Sequence, residues 1–327
     1  MRTKDLTATL KTLVQLGRPV YITGAPGGGK TSVVEQVAQA LDMKYIHVHA
    51  PTMLIEDFGV PDMGSQNDTF GYKLPERFMI PDDQPTLICF DDRGQCGTDL
   101  QKIFANMIDA RELHGHKFPD CVAFVSTGNR MEDRSGVNRV LGHLADRETE
   151  LEFDVHLDDW TTWAIDNDVN PSVISFLRFQ PQHLHDFDPQ RPKNPTPRSW
   201  VKGVSSIIDK VAFEHEFECF KGAIGEGIAA IFVGFREIEQ KLPNIDNLLL
   251  HPDTTDVPTD PMTLYAISGA IAHKASKNNF DRVITYANRM PKEFSVLTVS
   301  YATRKDESLA STQAFTEWAV ANQDVLF

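Results

Sequence analysis

The chain has 327 residues and 41% hydrophobic content, long enough for two domains with ordinary globular cores. Its formal net charge of −14 and pI near 5.2 argue against a broad nucleic-acid-binding face, because releasing phosphate counterions needs clustered Lys and Arg. Polar, mixed-charge Met1–Thr9 does not read as a signal peptide, and the longest near-apolar stretch, Gly222–Phe235, is too short for a bilayer and contains Glu226.

The run Pro19–Thr23 reads as a buried strand. It leads into Gly24-Ala25-Pro26-Gly27-Gly28-Gly29-Lys30-Thr31, which fits the G-x-x-x-x-G-K-[ST] phosphate loop at every defined position. Ser32–Leu41 follows with Val33, Val34, Val37, Ala38 and Leu41 at helical spacing. Strand, glycine loop and helix together are the context this motif requires. Glycines let backbone N–H groups surround the β-phosphate, and the positive helix end faces the same anion. Lys30 adds a charge for the β- and γ-phosphates, and Thr31 offers a hydroxyl to Mg²⁺. Gly24 through Ser32 are thereby expected to bind a nucleoside triphosphate. The competing reading is a glycine-rich turn that happens to carry a lysine.

Further strands are expected at Tyr45–His49, Thr86–Phe90 and Val122–Ser126, with Glu150–Phe153 a candidate fifth, and helical runs lie between them. Such alternation is the signature of a parallel α/β sheet. His47 and His49 would share one face of their strand; they read as half a metal site without a visible partner pair, or as hydrogen-bonded strand histidines. Asp57–Tyr72, rich in Gly, Pro, Asp and Asn, reads as an inserted loop or hairpin. Arg111–Pro119 reads as a tight hairpin between Leu113 and Phe118. The four cysteines (Cys89, Cys96, Cys121, Cys219) form no C-x-x-C pair and read as reduced thiols of a cytoplasmic protein.

From Asp158 the character becomes helical. A proline-rich linker runs through Arg191–Pro195, then Thr196 and Pro197 look like the N-cap and first residue of a helix. Ile207–Glu218, Ala223–Gln240, Thr263–Lys274 and Asp281–Arg289 read as helices, and the tail after Pro291 is expected to pack through Phe294, Leu297, Phe315 and Trp318. Lys193, Arg191 and Lys202 form a short basic patch that reads as solvated. The domain boundaries expected are an α/β core over 1–157 and an α-helical lid with an extension over 158–327.

The strand Thr86–Phe90 ends in Asp91-Asp92. A phosphate-loop enzyme needs a carboxylate there to hold Mg²⁺, which suits Asp91, and Asp92 would polarise the attacking water. The strand Val122–Ser126 leads to Asn129, whose neutral amide can sense the γ-phosphate.

On these motifs the chain resembles a MoxR-like AAA+ ATPase over nearly its whole length. Gly24–Thr31 resembles Walker A, Leu87–Asp92 resembles Walker B, and Asn129 matches sensor 1. The resemblance implies Arg147, after Asp146, as the arginine finger; Arg130, Arg134 and Arg139 lie close by in sequence and could also reach across a subunit boundary, though Arg139 reads rather as a surface salt-bridge residue. It implies Arg198, in Asn194-Pro195-Thr196-Pro197-Arg198-Ser199-Trp200, as sensor 2. It matches Asp57–Tyr72 to the helix-2 insertion and Arg111–Pro119 to the hairpin before sensor 1. It also implies ATP and Mg²⁺ as ligands, a hexameric homo-oligomeric ring, and remodelling of a protein partner, often one with a von Willebrand factor A domain. One departure is Asp92, where the family more often has Glu; the shorter side chain sits back from the water and predicts slower hydrolysis. Two other readings stay open. One is an ATP-gated assembly scaffold with slow or no hydrolysis. The other is a nucleic-acid motor, disfavoured by the negative charge and by the lack of a basic-aromatic stripe.

Overall fold

The central strands are near-continuous apolar runs, Val20–Ile22, Leu87–Phe90 and Val122–Val125, buried along their length, as expected of a parallel sheet with helices on both faces. In the computed structural model, which describes residues 1–64, 71–130, 133 and 146–323, the chain divides into two compact units. The first is Met1–His156 with Phe187–Pro189, and the second is Leu157–Asp186 with Gln190–Phe327.

The first unit is built on a five-stranded sheet of β1 (Val20–Gly24), β2 (Lys44–His49), β5 (Thr86–Asp91), β8 (Val122–Gly128) and β9 (Thr149–Phe153). Their order is β2-β5-β8-β1-β9, and every neighbouring pair is parallel. The fifth strand expected at Glu150–Phe153 is therefore present, at the sheet edge. On one face, α1 (Thr3–Gln15) and α2 (Lys30–Ala40) pack Leu6, Leu10, Val33, Val34 and Val37 against Leu87, Cys89, Ala123 and Val125. On the other, α3 (Thr98–Asp109) packs Phe104, Met107 and Ile108 against Ile88, Phe90, Val122 and Phe124. The inserted segment forms the antiparallel pair β3 (Val60–Asp62) and β4 (Gly71–Lys73), and the tight hairpin is β6 (Glu112–Leu113) with β7 (His116–Lys117). Phe70 of the expected insertion lies outside the described residues.

The second unit is helical: α4 (Leu157–Asp166), α5 (Pro171–Phe179), α6 (Phe213–Ile224), α7 (Glu226–Lys241), α8 (Ile245–Leu250), α9 (Pro261–Lys274), α10 (Phe280–Ala287), α11 (Lys292–Lys305) and α12 (Gln313–Ala321). Its centre is aromatic, with Phe232 5.0 Å from Phe176, 5.4 Å from Trp200 and 5.1 Å from Phe220 between ring centroids. The expected helix at Ile207–Glu218 is displaced to Phe213–Ile224, because residues around Asp209 (φ +62°) turn first. The run Ala223–Gln240 is broken by Gly225, whose φ of +89° ends one helix before the next begins. Helices α1, α5, α8, α11 and α12 were not anticipated. In the tail, Phe294 and Trp318 are buried as expected. No helix among the described residues is long and apolar enough to cross a membrane.

A deeply buried ion pair lies within the first unit. Arg93 and Glu148 side chains are 1% and 2% exposed, and Arg93 Nη1 lies 2.6 Å from Glu148 Oε1. Ser126 donates its hydroxyl to the same carboxylate oxygen at 3.0 Å, and the guanidinium covers the Tyr21 ring at 4.5 Å. The remaining Arg93 Nη2 and Glu148 Oε2 have no hydrogen-bond partner among the described residues. Breaking one side of a buried pair strands the other charge, so Arg93→Met is expected to lower unfolding free energy by about 3–5 kcal/mol. Arg93→Met combined with Glu148→Met is expected to recover most of that loss. Urea unfolding of the single and double variants checks this; equal losses would mean that the charges do not compensate each other.

Candidate nucleotide site

The sheet order places the C-terminal ends of β1, β5 and β8 side by side, so the loop after each opens onto one edge. The loop after β1 is shaped by its glycines. A Cβ on Gly24 would lie 2.6 Å from the Phe153 carbonyl oxygen, and one on Gly28 would lie 3.0 Å from Val155. Gly27 and Gly29 take φ of +73° and +104°, conformations that side chains disfavour. Gly29 precedes α2 without a side-chain cap, leaving the first-turn amides of Lys30, Thr31 and Ser32 to the loop. Ala25 and Pro26 complete the turn, and Ser32 is exposed. A backbone cradle at an uncapped helix N-terminus fits a polyphosphate.

Lys30 is buried, and its ammonium donates to Gly24 O at 2.9 Å, Ala25 O at 3.0 Å and Asn129 Oδ1 at 2.9 Å. Asn129, just past the end of β8, is thus joined directly to the phosphate loop. The hydroxyls of Thr31 and Thr127 each donate to Asp91 Oδ1 at 2.6 Å, the short range of a charge-assisted bond. On the other oxygen, His47 Nε2 lies at 3.1 Å and His49 Nδ1 at 3.6 Å. Burial pushes the Asp91 carboxyl up, but the bonds from Thr127, Thr31 and His47 prevail and hold it below the usual carboxylate range. Asp91 is therefore an anion, and with the Thr31 hydroxyl it presents the hard oxygen donors that Mg²⁺ takes.

Asp92 has φ +52°, and its N–H donates to Thr127 Oγ1 at 3.1 Å. Ligand atoms of His49, Asp91 and Asp92 lie within 4.8 Å of one another. The histidines thus find their partner on the adjacent strand, where His49 stands opposite Asp91. That pairing depends on strand register and was not visible in the sequence. Thr127 was also missed, although it lies two residues before Asn129. Gly128 between them has a structural reason: a Cβ there would lie 2.1 Å from the Tyr21 hydroxyl.

The arginines are placed differently. Arg130 pairs with Asp133 at 3.3 Å and with Glu152 at 3.5 Å. Arg147, partly exposed, pairs with Asp109 of α3 at 2.6 Å. It precedes β9, whose last residue, Phe153, stands opposite Gly24. At about 3.3 Å per residue, Arg147 starts on the order of 20 Å from the loop's end of that strand. Arg134 and Arg139 lie outside the described residues. Arg198 is exposed in the second unit, one residue into the helical segment that Thr196 caps, its Oγ1 accepting from Ser199 N at 3.2 Å. Arg198 has no hydrogen bond or ion pair among the described residues. Of the basic patch, Arg191 is tied to Asp186 at 2.6 Å.

Residues 20–139 match the family model for "ATPase family associated with various cellular activities (AAA)". No curated protein matches the chain. Solved structures that align with it include an Hsp104:ATPγS complex with casein, at 16% identity and TM-score 0.36 over 50% of this chain; the chain spans 35% of that Hsp104 chain. A RuvB variant from Thermotoga maritima aligns at 13% identity and TM-score 0.42, over 82% of this chain and 80% of its own. NtrX from Brucella abortus in complex with ATP aligns at 10% identity and TM-score 0.42, over 98% and 68%. The sheet order, the phosphate loop and the family match agree: residues 20–139 carry an AAA ATPase domain, whose chemistry is the binding and hydrolysis of ATP.

Proposed function

We propose that the chain is a MoxR-like AAA+ ATPase that assembles as a hexameric ring in the cytoplasm and uses ATP hydrolysis to remodel a partner protein. The observation that carries this reading is the bonded system Lys30–Asn129 and Thr31–Asp91–Thr127, which joins the phosphate loop to two strand ends. In this reading Gly24 through Ser32 cradle the phosphates by their backbone amides, and Lys30 exchanges loop carbonyls for phosphate oxygens. Thr31 and Asp91 would hold Mg²⁺, which supplies charge neutralisation between the β- and γ-phosphates. Asp92 polarises the attacking water, and Asn129 orients it while reporting on Lys30.

Arg147, two residues before the start of β9, lies at the end of that strand far from its own phosphate loop, which supports action at a neighbour's site. Its pair with Asp109 is partly exposed, and such pairs contribute about 0–1 kcal/mol, so exchanging Asp109 for a neighbour's phosphate costs little. Arg198 is free to add a second charge, with residues 158–327 serving as the lid. The family resemblance further implies a partner with a von Willebrand factor A domain. The β3–β4 insertion and the β6–β7 hairpin are the loops suited to partner recognition. The negative net charge continues to disfavour a nucleic-acid motor.

A second reading rests on Asp92 alone. If its short carboxylate leaves the water poorly activated, the chain is an ATP-gated scaffold whose assembly follows nucleotide binding. Steady-state hydrolysis across protein concentration separates the two. For the machine, the rate per subunit rises with concentration and vanishes in Lys30→Ala, and Asp92→Asn loses about 10²–10⁴-fold in kcat while ATP still binds. For the scaffold, turnover is negligible throughout, and Asp92→Asn changes neither ATP binding nor assembly.

Arg147→Ala is expected to lose about 10³-fold or more in kcat, the usual contribution of an arginine finger. Mixing equal amounts of inactive Lys30→Ala and Arg147→Ala subunits is expected to restore hydrolysis at about a quarter of the interfaces, where an intact loop meets an intact finger. No recovery on mixing would remove Arg147 from that role.

A further inference from the structure

The second unit contains a cavity of about 450 Å³, walled by side chains of α4, α5, α9 and α11. Its volume falls in the range of small-molecule sites, roughly 300–1,000 Å³. One side is apolar, with Ile165, Phe294 and Leu297 among its lining residues. Arg178, from the last turn of α5, lines it as well. The Arg178 guanidinium makes no hydrogen bond or ion pair with any described residue. Thr161 also lines the cavity, is 2% exposed, and its hydroxyl has no hydrogen-bond partner among the described residues.

The neighbouring charges do not relieve Arg178. Asp158 attracts it without forming an ion pair, and burial still depresses its pKa below the usual arginine value. Arg304, the other lining cation, is held by both carboxylate oxygens of Asp166. Glu293 lines the same cavity but is itself exposed. A half-buried charge without a counter-ion loses hydration and gains nothing in exchange, which is destabilising. Its fork geometry is suited to a carboxylate or a similar oxyanion.

We infer that this cavity binds a small organic monoanion with an apolar body, the anion held by Arg178 and the body covered by Ile165, Phe294 and Leu297. A single uncommitted cation, with Glu293 also lining the cavity, suits one negative charge and disfavours polyphosphates. Thr161 adds a hydroxyl without a hydrogen-bond partner among the described residues to the wall of the same cavity. The site lies wholly within the second unit and is independent of the nucleotide reading.

The test uses the full chain and 8-anilinonaphthalene-1-sulfonate, a fluorescent monoanion with an aromatic body. Saturable binding of one probe per chain is expected, displaced by decanoate but not by ATP or inorganic phosphate. Arg178→Gln is expected to weaken probe and decanoate at least tenfold, and Leu297→Trp, which fills the cavity and keeps the arginine, to abolish both. The melting temperature of ligand-free Arg178→Gln should not fall below that of the parent chain, since an uncompensated charge has been removed. Equal probe binding by the parent and both variants, or no displaceable binding by the parent, overturns the proposal. A lower melting temperature in Arg178→Gln with unchanged affinity also overturns it, because that is the signature of a structural arginine.

Discussion

The Asp91 carboxylate is the point around which the nucleotide site is organised. Asp91 is the last residue of β5, so a central strand positions it rather than a loop. From there it collects Thr31 from α2, Thr127 from β8 and His47 from β2. Burying a carboxylate without donors costs several kcal/mol, and the donors offset that cost while keeping the group ionised. The same bonds fix where α2 begins relative to the ends of β8 and β2. Lys30 makes a second tie across the same gap, through Asn129. A hydroxyl–carboxylate bridge through Asp91 and an ammonium–amide bridge therefore hold the phosphate loop against the end of β8, at Thr127 and Asn129.

The phosphate loop, β1 and α2 were legible because their signals are local: glycines at fixed offsets, then a change from strand to helix spacing. The two carboxylates and Asn129 were legible as strand-end residues once the loop had set the context. The histidines were recognised as sharing a face, but their partner is set by the parallel register of β2 on β5, which pairs His49 with Asp91 across distant sequence. Helix α1 escaped because its buried stripe is thin, only Leu6, Leu10 and Val14 amid polar residues. The helix boundaries near Gly225 failed for a different reason. Apolar spacing continues through that glycine, and only its backbone conformation ends one helix and starts another.

Beneath the site, the buried pair of Arg93 and Glu148 explains a glycine that motif reading alone leaves unexplained. Gly128 separates Thr127 from Asn129, and the Tyr21 hydroxyl occupies the space where its Cβ would project. Tyr21 is in turn covered by Arg93, which follows Asp92 directly and is bonded to Ser126 and Glu148. Ion pairs of this kind rarely stabilise more than apolar side chains of the same shape would. Their contribution here is positional: one guanidinium fixes the end of β5 against β8, β1 and the approach to β9.

Charge compensation also separates the arginines by what their environment demands. Leaving an exposed guanidinium unpaired costs almost nothing, so the solvent position of Arg198 carries no energetic information about its role. Burial changes that arithmetic. Arg93 meets Glu148, and Arg236 meets Asp209, Glu216 and Glu239. Lys30 meets two carbonyls and an amide. Arg178 departs from this pattern among the described residues, in a cavity rather than in a packed interior. A fold that compensates its other deep cations so thoroughly could fill that space with a leucine or methionine at no loss of packing. Retaining a charge there makes physical sense when its counter-ion arrives from outside the chain.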